Sequence, residues 1–268
     1  MTDFYDMLNK PNAAAGDYTG VDGLLYCGKC HKPKQMRGDG VLAGKLLSIT
    51  CSCKETELQA AELAEKQKRV DALRARCLPV ESMHSRVFSA AGNEKHIRTA
   101  QRYVEKWDEM MTENCGIIFW GNTGTGKTYA AQCIANALID QEISVYYITA
   151  VDLIAKLMDR ETRRGDLMNK LQKTPLLIID DVGAERDTAF SREQLCAVID
   201  ARNESGRPLI VTTNYTAAEM RNCSDPALQR IFNRLLSCCV PVAVIGESKR
   251  NAIAAKKMHR MQELLALE

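Results

Sequence analysis

Apolar and polar positions beyond Cys115 follow one scheme, in which short apolar runs alternate with stretches of helical period. The runs CGIIFW, SVYYIT, PLLIID, PLIVTTN and CVPVAVI read as strands, and residues 127–140, 150–173, 190–203 and 216–236 between them read as helical. Strands that are apolar throughout and separated by helices belong to a parallel sheet covered on both faces. The fold class is therefore α/β with a five-stranded parallel sheet. Upstream, Ile97, Ala100, Tyr103, Val104 and Trp107 fall at helical spacing and predict a core-facing helix over residues 96–111. Residues 54–76 contain neither Gly nor Pro and carry six basic and five acidic groups, which predicts a solvated connecting helix that Pro79 ends. Residues 26–53 hold short apolar pieces, glycine turns and four cysteines, too little to build a core. Residues 1–23 read as a flexible or partner-folded arm with a short helical start at Phe4–Leu8. The expected organisation is an arm and cysteine module over 1–53, a linker helix over 54–80 and an α/β domain over 81–268.

Composition narrows the class. The chain has 268 residues, 36 basic and 34 acidic side chains, and a net charge of +2. A charge this small means that any nucleic-acid binding must come from local clusters. No apolar run reaches the ~18 residues of a membrane span, and the start MTDFYDMLNK lacks the pattern of a signal peptide, so no membrane association and a cytoplasmic location are expected. Eleven cysteines, an odd number, do not suggest a disulfide framework in such a setting. Cys27-x-x-Cys30 and Cys51-x-Cys53 stand apart from the other seven by their paired spacing. Four thiolates suffice to close a tetrahedral, structural Zn²⁺ site, with free buried thiols as the alternative and His31 beside Cys30 as a candidate substitute ligand.

The sharpest motif is Gly121-Asn122-Thr123-Gly124-Thr125-Gly126-Lys127-Thr128, which matches G-x-x-x-x-G-K-[ST] and lies between a predicted strand and a predicted helix. Glycines let backbone N–H groups wrap the β-phosphate of ATP, Lys127 reaches the β- and γ-oxygens, and the Thr128 hydroxyl serves Mg²⁺. About fifty residues on, the run LLII ends in Asp180 and Asp181. Asp180 is placed to hold Mg²⁺ through its water shell and Asp181 to polarise an attacking water; an acidic turn after a core strand is the plainer reading. Asn214 ends the PLIVTT strand where a sheet tip meets a γ-phosphate.

With these residues in place, the segment from Phe88 to Arg250 resembles the AAA+ helicase loaders of the DnaC and DnaI type, a group that includes the IstB-like transposition ATPases. The resemblance rests on Tyr103-Val-Glu-Lys-Trp107, the 121–128 loop, LLIIDDVG ending at Gly183, VTTN ending at Asn214, and Arg230-Ile-Phe-Asn-Arg234-Leu235. It implies an AAA+ P-loop ATPase without a separate lid domain. It also makes Asp181 the catalytic acid, Asn214 the sensor, and Arg234, with Arg230 beside it, the finger that reaches ATP on a neighbouring subunit. Many members carry Glu where this chain has Asp181, a shorter acid, so slow hydrolysis is expected. The resemblance further implies ATP-dependent self-association, a hexameric replicative helicase as partner, gripped by the cysteine module, and single-stranded DNA contacts from Lys156, Arg160, Arg163 and Arg164. A second basic stretch, Lys249, Arg250, Lys256, Lys257 and Arg260, lacks acids. Either cluster also reads as a solvated face, and no aromatic stacking residues stand nearby. The expected function is ATP-controlled loading of a replicative helicase during DNA replication. The alternatives are an IstB-like ATPase serving a transposase, and a zinc-dependent nucleic-acid adaptor whose nucleotide is structural.

Overall fold

The computed structural model describes residues 13–159, 161–186 and 188–265. The expected helix at Phe4–Leu8 lies outside them. Contacts divide the chain into two compact units with the boundary between Arg69 and Val70.

In the first unit, β1 (Tyr18–Thr19) pairs antiparallel with β2 (Leu25–Tyr26), and β3 (Gln35–Arg37) with β4 (Leu46–Ser48). Tyr18 and Thr19, expected within a flexible arm, are thus strand residues. Their order follows from Tyr18 stacking on Tyr26 at 5.8 Å and from the neighbouring Asp17, whose carboxylate takes the N–H of Ala14 and Gly28 and pairs with buried Lys34 at 2.6 Å. Helix α1 (Ser52–Cys77) follows, and every side chain from Lys54 to Arg69 is exposed, as its composition predicts.

The second unit takes up the end of that helix. Val70, Cys77 and Leu78 are buried, and Arg74 binds Asn136 and Asp140. After α2 (Glu81–His84), the expected single helix over 96–111 forms as α3 (Lys95–Glu105) and α4 (Trp107–Thr112). Lys106 leaves helical geometry at φ −107° and ψ 24°, and Trp107 beyond it is buried edge-on to Tyr103 at 6.1 Å. The remaining order is β5 (Gly116–Trp120), α5 (Lys127–Asp140), β6 (Val145–Thr149), α6 (Ala150–Met158), α7 (Arg164–Lys173), β7 (Leu176–Val182), α8 (Ala189–Glu204), β8 (Leu209–Thr213), α9 (Ala217–Arg221), α10 (Pro226–Cys238), β9 (Cys239–Ala243) and α11 (Lys249–Leu264).

The sheet runs β6-β7-β8-β5-β9 with every neighbouring pair parallel. Alternate residues of β7 enter different halves of the core: Leu176 and Ile178 pack with Ile97, Tyr103, Phe119 and Ile134, whereas Leu177 and Ile179 pack with Leu153, Ile199 and Phe232. Burial on both faces is why these strands show no polar alternation. A guanidinium also sits in the packed interior. Arg202 of α8, 1% exposed, donates to the carbonyls of Leu171, Gln172, Thr174, Pro175 and Pro208, tying the end of α7 to the starts of β7 and β8. Among the described residues no helix is long and apolar enough to cross a membrane.

Candidate functional site

The 121–128 loop joins the carboxyl end of β5 to the first turn of α5, at the sheet edge where ligands of open α/β sheets gather. Gly121 and Gly124 have φ of 142° and 82°. A Cβ at either would overlap a neighbour, Val244 O at the first and Ser248 Oγ at the second, so only glycine fits. Gly126 is the N-cap of α5 at φ 110° and offers no side chain to the free N–H groups of the first turn. Those donors and the helix dipole are left for an anion. Lys127 is buried, and its ammonium donates to Gly121 O at 2.7 Å, Asn122 O at 2.8 Å and Asn214 Oδ1 at 2.8 Å. Burial pulls its pKa below the usual lysine value, while Asp181 and Asp180 pull it back up.

Both acids are set by an irregularity between β7 and β8. Ile179 pairs with Val211 and Val182 with Thr213, which leaves Asp180 and Asp181 opposite the single residue Thr212. Thr212 Oγ1 donates to Asp180 Oδ1 at 2.5 Å and accepts the Asp181 N–H at 2.8 Å, so one hydroxyl clamps both bulged residues. Asp180 is buried, and its carboxylate also receives the hydroxyls of Thr128, at 3.0 Å, and of Tyr147. Gln132 in turn donates to the Tyr147 hydroxyl at 3.2 Å. Asp181 takes the left-handed conformation at φ 56° and reaches the cavity. Burial of its carboxyl and the charge of Asp180 raise its pKa above the ordinary aspartate value.

Around these groups lies a cavity of about 560 Å³. Lys127, Thr128, Asp181 and Asn214 line it together with Arg86, Ala91, Ile97 and Tyr129, the Arg86 guanidinium lying 5.5 Å from the Tyr129 ring centre. The donor set at the loop fits a polyphosphate, and the paired hydroxyl and carboxylate of Thr128 and Asp180 fit a hydrated Mg²⁺. Lys249 and Arg250 also line the cavity, and the Lys249 N–H donates to Gly124 O at 3.0 Å. These two cations therefore belong to the nucleotide cavity rather than to a separate C-terminal patch. Their position was not readable from spacing, because Val244 N–H to Trp120 O at 2.8 Å and the turn after β9 bring them there. Thr212, Tyr147 and Gln132 were likewise missed, since isolated hydroxyls and amides in apolar runs form no motif.

In the first unit, the sulfur atoms of Cys27, Cys30, Cys51 and Cys53 all lie within 4.8 Å of one another. Cys27 to Cys53 measures 3.4 Å and Cys51 to Cys53 3.3 Å, and all eleven cysteines are free. A tetrahedron with ~2.3 Å Zn–S bonds would set sulfurs about 3.8 Å apart, so the cluster fits the ion. Backbone N–H groups support thiolates here: those of Lys32 and Cys53 bring Cys30 down to about 6. Hydrogen bonds to the Cys51 and Cys27 sulfurs hold the Cys53 proton and push its pKa up to about 12, a proton that a bound cation would displace. His31 does not stand in for one of the four cysteines. It takes φ 57° at the turn after Cys30 and its Nδ1 lies 3.3 Å from the Tyr18 hydroxyl, outside the sulfur cluster.

The sequence model of the family described as "IstB-like ATP binding protein" matches residues 57–257. The chain belongs to this family. Among the relatives of this IstB-like chain is the replicative helicase loader DnaC of Escherichia coli strain K12, 31% identical over 171 residues that span 62% of the chain and 67% of DnaC. The replicative helicase loader DnaI of Bacillus subtilis strain 168 is 24% identical over 148 residues, 51% of the chain and 48% of DnaI. A crystal structure of the DnaC helicase loader superposes with a TM-score of 0.54 at 21% identity, covering 62% of the IstB-like chain and all of that structure, 100%. The second unit has the AAA+ ATPase fold of a DnaC-type protein.

Not every expected site residue of the IstB-like chain joins the cavity. Arg230 and Arg234 lie on exposed faces of α10 and meet Asp200 of α8, at 3.7 and 2.8 Å, beside a shallow pocket that does not include the 121–128 loop. Lys156 of α6 and Arg163 and Arg164 at the start of α7 are exposed; Arg160 lies outside the described residues.

Proposed function

We propose that this chain is an ATP-dependent loader that places a replicative DNA helicase on single-stranded DNA. The observation that carries the reading is one cavity holding Lys127, Thr128, Asp181 and Asn214 in a chain 31% identical to a DnaC loader across that same domain. When bound, the nucleotide would supply a transferable γ-phosphoryl group and Mg²⁺ would neutralise charge on it. Thr128 and Asp180 would hold the ion, Lys127 would hold the β/γ oxygens, and Asp181 would take the proton of the attacking water. Asn214, already bonded to Lys127, senses the γ end.

A guanidinium on an exposed face outside its own cavity acts only across an interface, and this supports Arg234, with Arg230, as a finger completing a neighbour's site in an ATP-dependent assembly. Lys156, Arg160, Arg163 and Arg164 would then contact the phosphates of the strand, and a zinc-closed cysteine module would grip the helicase. Affinity capture from native lysate with the Asp181→Asn variant and ATP tests the reading, because a variant that binds without hydrolysing retains its client. Recovery of a hexameric replicative helicase is expected. Recovery of a transposase, the client suggested by the IstB-like family, would refute the loader role and leave the nucleotide chemistry standing.

A further inference from the structure

His96, in the first turn of α3, is used by none of the steps above. The residue is 5% exposed and lines the nucleotide cavity. Among the described residues its Nε2 is buried without a hydrogen-bond partner, whereas the Nε2 of His84 is satisfied by Leu78 O at 2.9 Å. A buried ring nitrogen left unpaired is destabilising, and native folds rarely keep one without a ligand or water to meet it. The nearest landmark is Gly126: a Cβ there would lie 3.4 Å from Nε2. Nε2 therefore faces the N-terminus of α5, where the backbone donors converge on the α/β-phosphates.

We infer that His96 is a nucleotide-contact residue whose Nε2 hydrogen-bonds the α/β-phosphate end of a bound nucleoside di- or triphosphate. This rests on the nucleotide reading of the cavity and adds to it a contact that no motif marks. The neighbouring Glu94 gives Oε1 to Lys249, and its Oε2 is, like the ring nitrogen, buried without a hydrogen-bond partner among the described residues, although no hydrogen bond joins the two. Burial draws the ring's pKa below the usual histidine value, opposed by Glu94 and helped by Lys249, so the ring is neutral and bears a single N–H. A neutral donor at the α/β end serves ADP and ATP alike, unlike Asn214, which faces the γ side.

The test is direct titration of full-length protein with fluorescent ADP and ATP analogues, comparing wild type with His96→Ala, His96→Asn and His96→Gln. Glutamine places its amide nitrogen near the position of Nε2, and asparagine near that of Nδ1. Alanine and asparagine are expected to raise Kd for both nucleotides by about ten- to a hundredfold, the worth of a hydrogen bond to a charged group, and glutamine by less than about threefold. In nitrogen-detected NMR, the ring of one histidine, out of His31, His84, His96 and His259, shifts when ADP is added and is missing in His96→Gln. Circular dichroism without nucleotide separates misfolding from lost contact. Binding within about twofold of wild type in the alanine or asparagine variant, or a glutamine variant as weak as alanine, would overturn the inference while the nucleotide reading survives. A wild type that binds neither nucleotide would overturn both.

Discussion

We propose that the cysteine cluster holds zinc, and removal of that ion is expected to unfold residues 13–51 while the sheet of the second unit keeps its structure. Among the described residues of that segment, the only buried apolar side chains are Cys27 and Cys51, 6% and 3% exposed, and both belong to the cluster itself. The two hairpins pair two and three residues per strand, far short of what stands alone in water. Ordering each residue costs about 1–2 kcal/mol, and this segment has almost no hydrophobic burial to offset it. A structural Zn²⁺ supplies about 10–16 kcal/mol, as much as the whole net stability of an ordinary domain. Its loss cannot be absorbed by a lone ion pair such as Asp17–Lys34. Hydrogen exchange followed by mass spectrometry, before and after chelation, with metal release read by a colorimetric dye, tests this directly. Amides of β2 to β4 should lose protection together while those of β5, β7 and β8 keep theirs, and Cys51→Ser should reproduce the effect without chelator. If residues 25–48 stay protected after one equivalent of metal has left, the hairpins carry their own stability and the reasoning fails.

Other consequences are as specific. Asp181→Asn should bind ATP and hydrolyse it about 10²–10⁴-fold more slowly. Because burial raises the Asp181 pKa, wild-type turnover should fall as pH drops through a value above that of an ordinary aspartate, and this acid limb should vanish in the variant. Arg202→Met strands five buried carbonyls and should destabilise the protein by about 3–5 kcal/mol in urea unfolding; a change under 1 kcal/mol would mean that water reaches them. Arg234→Ala should leave nucleotide affinity unchanged and abolish the rise of specific activity with protein concentration, a rise an assembled site requires. Light scattering that shows no added mass with a non-hydrolysable ATP analogue would remove the finger altogether.

The sheet was legible because its strands are buried on both faces and separated by capped helices, so the apolar runs alone mark them. The 121–128 loop was legible because each of its residue types answers a local demand of phosphate binding. What stayed hidden depends on neighbours in space. Thr212 gains meaning only opposite the bulge, His96 only against Gly126, and Lys249 and Arg250 only after the turn beyond β9 returns them to the loop. The break at Lys106 was invisible for a related reason: Tyr103 and Trp107 keep helical spacing on both sides of it. The strand at Tyr18–Thr19 went unseen because two-residue strands leave no period, and Asp17 beside it is held by donors from other parts of the module.

The left-handed backbone at Asp181 bears on how this site can evolve. Aspartate and asparagine enter that conformation more readily than longer side chains, which are strained there by about 1–2 kcal/mol. The shorter acid is thus matched to its place in the bulge, and a one-step exchange for glutamate would set a longer reach against a contorted main chain. A lineage would gain that glutamate cheaply only after β7 and β8 had been re-registered and Thr212 released from its double duty. The identities at positions 181 and 212 are therefore expected to change together, a form of epistasis written in the backbone rather than in the chemistry of either side chain.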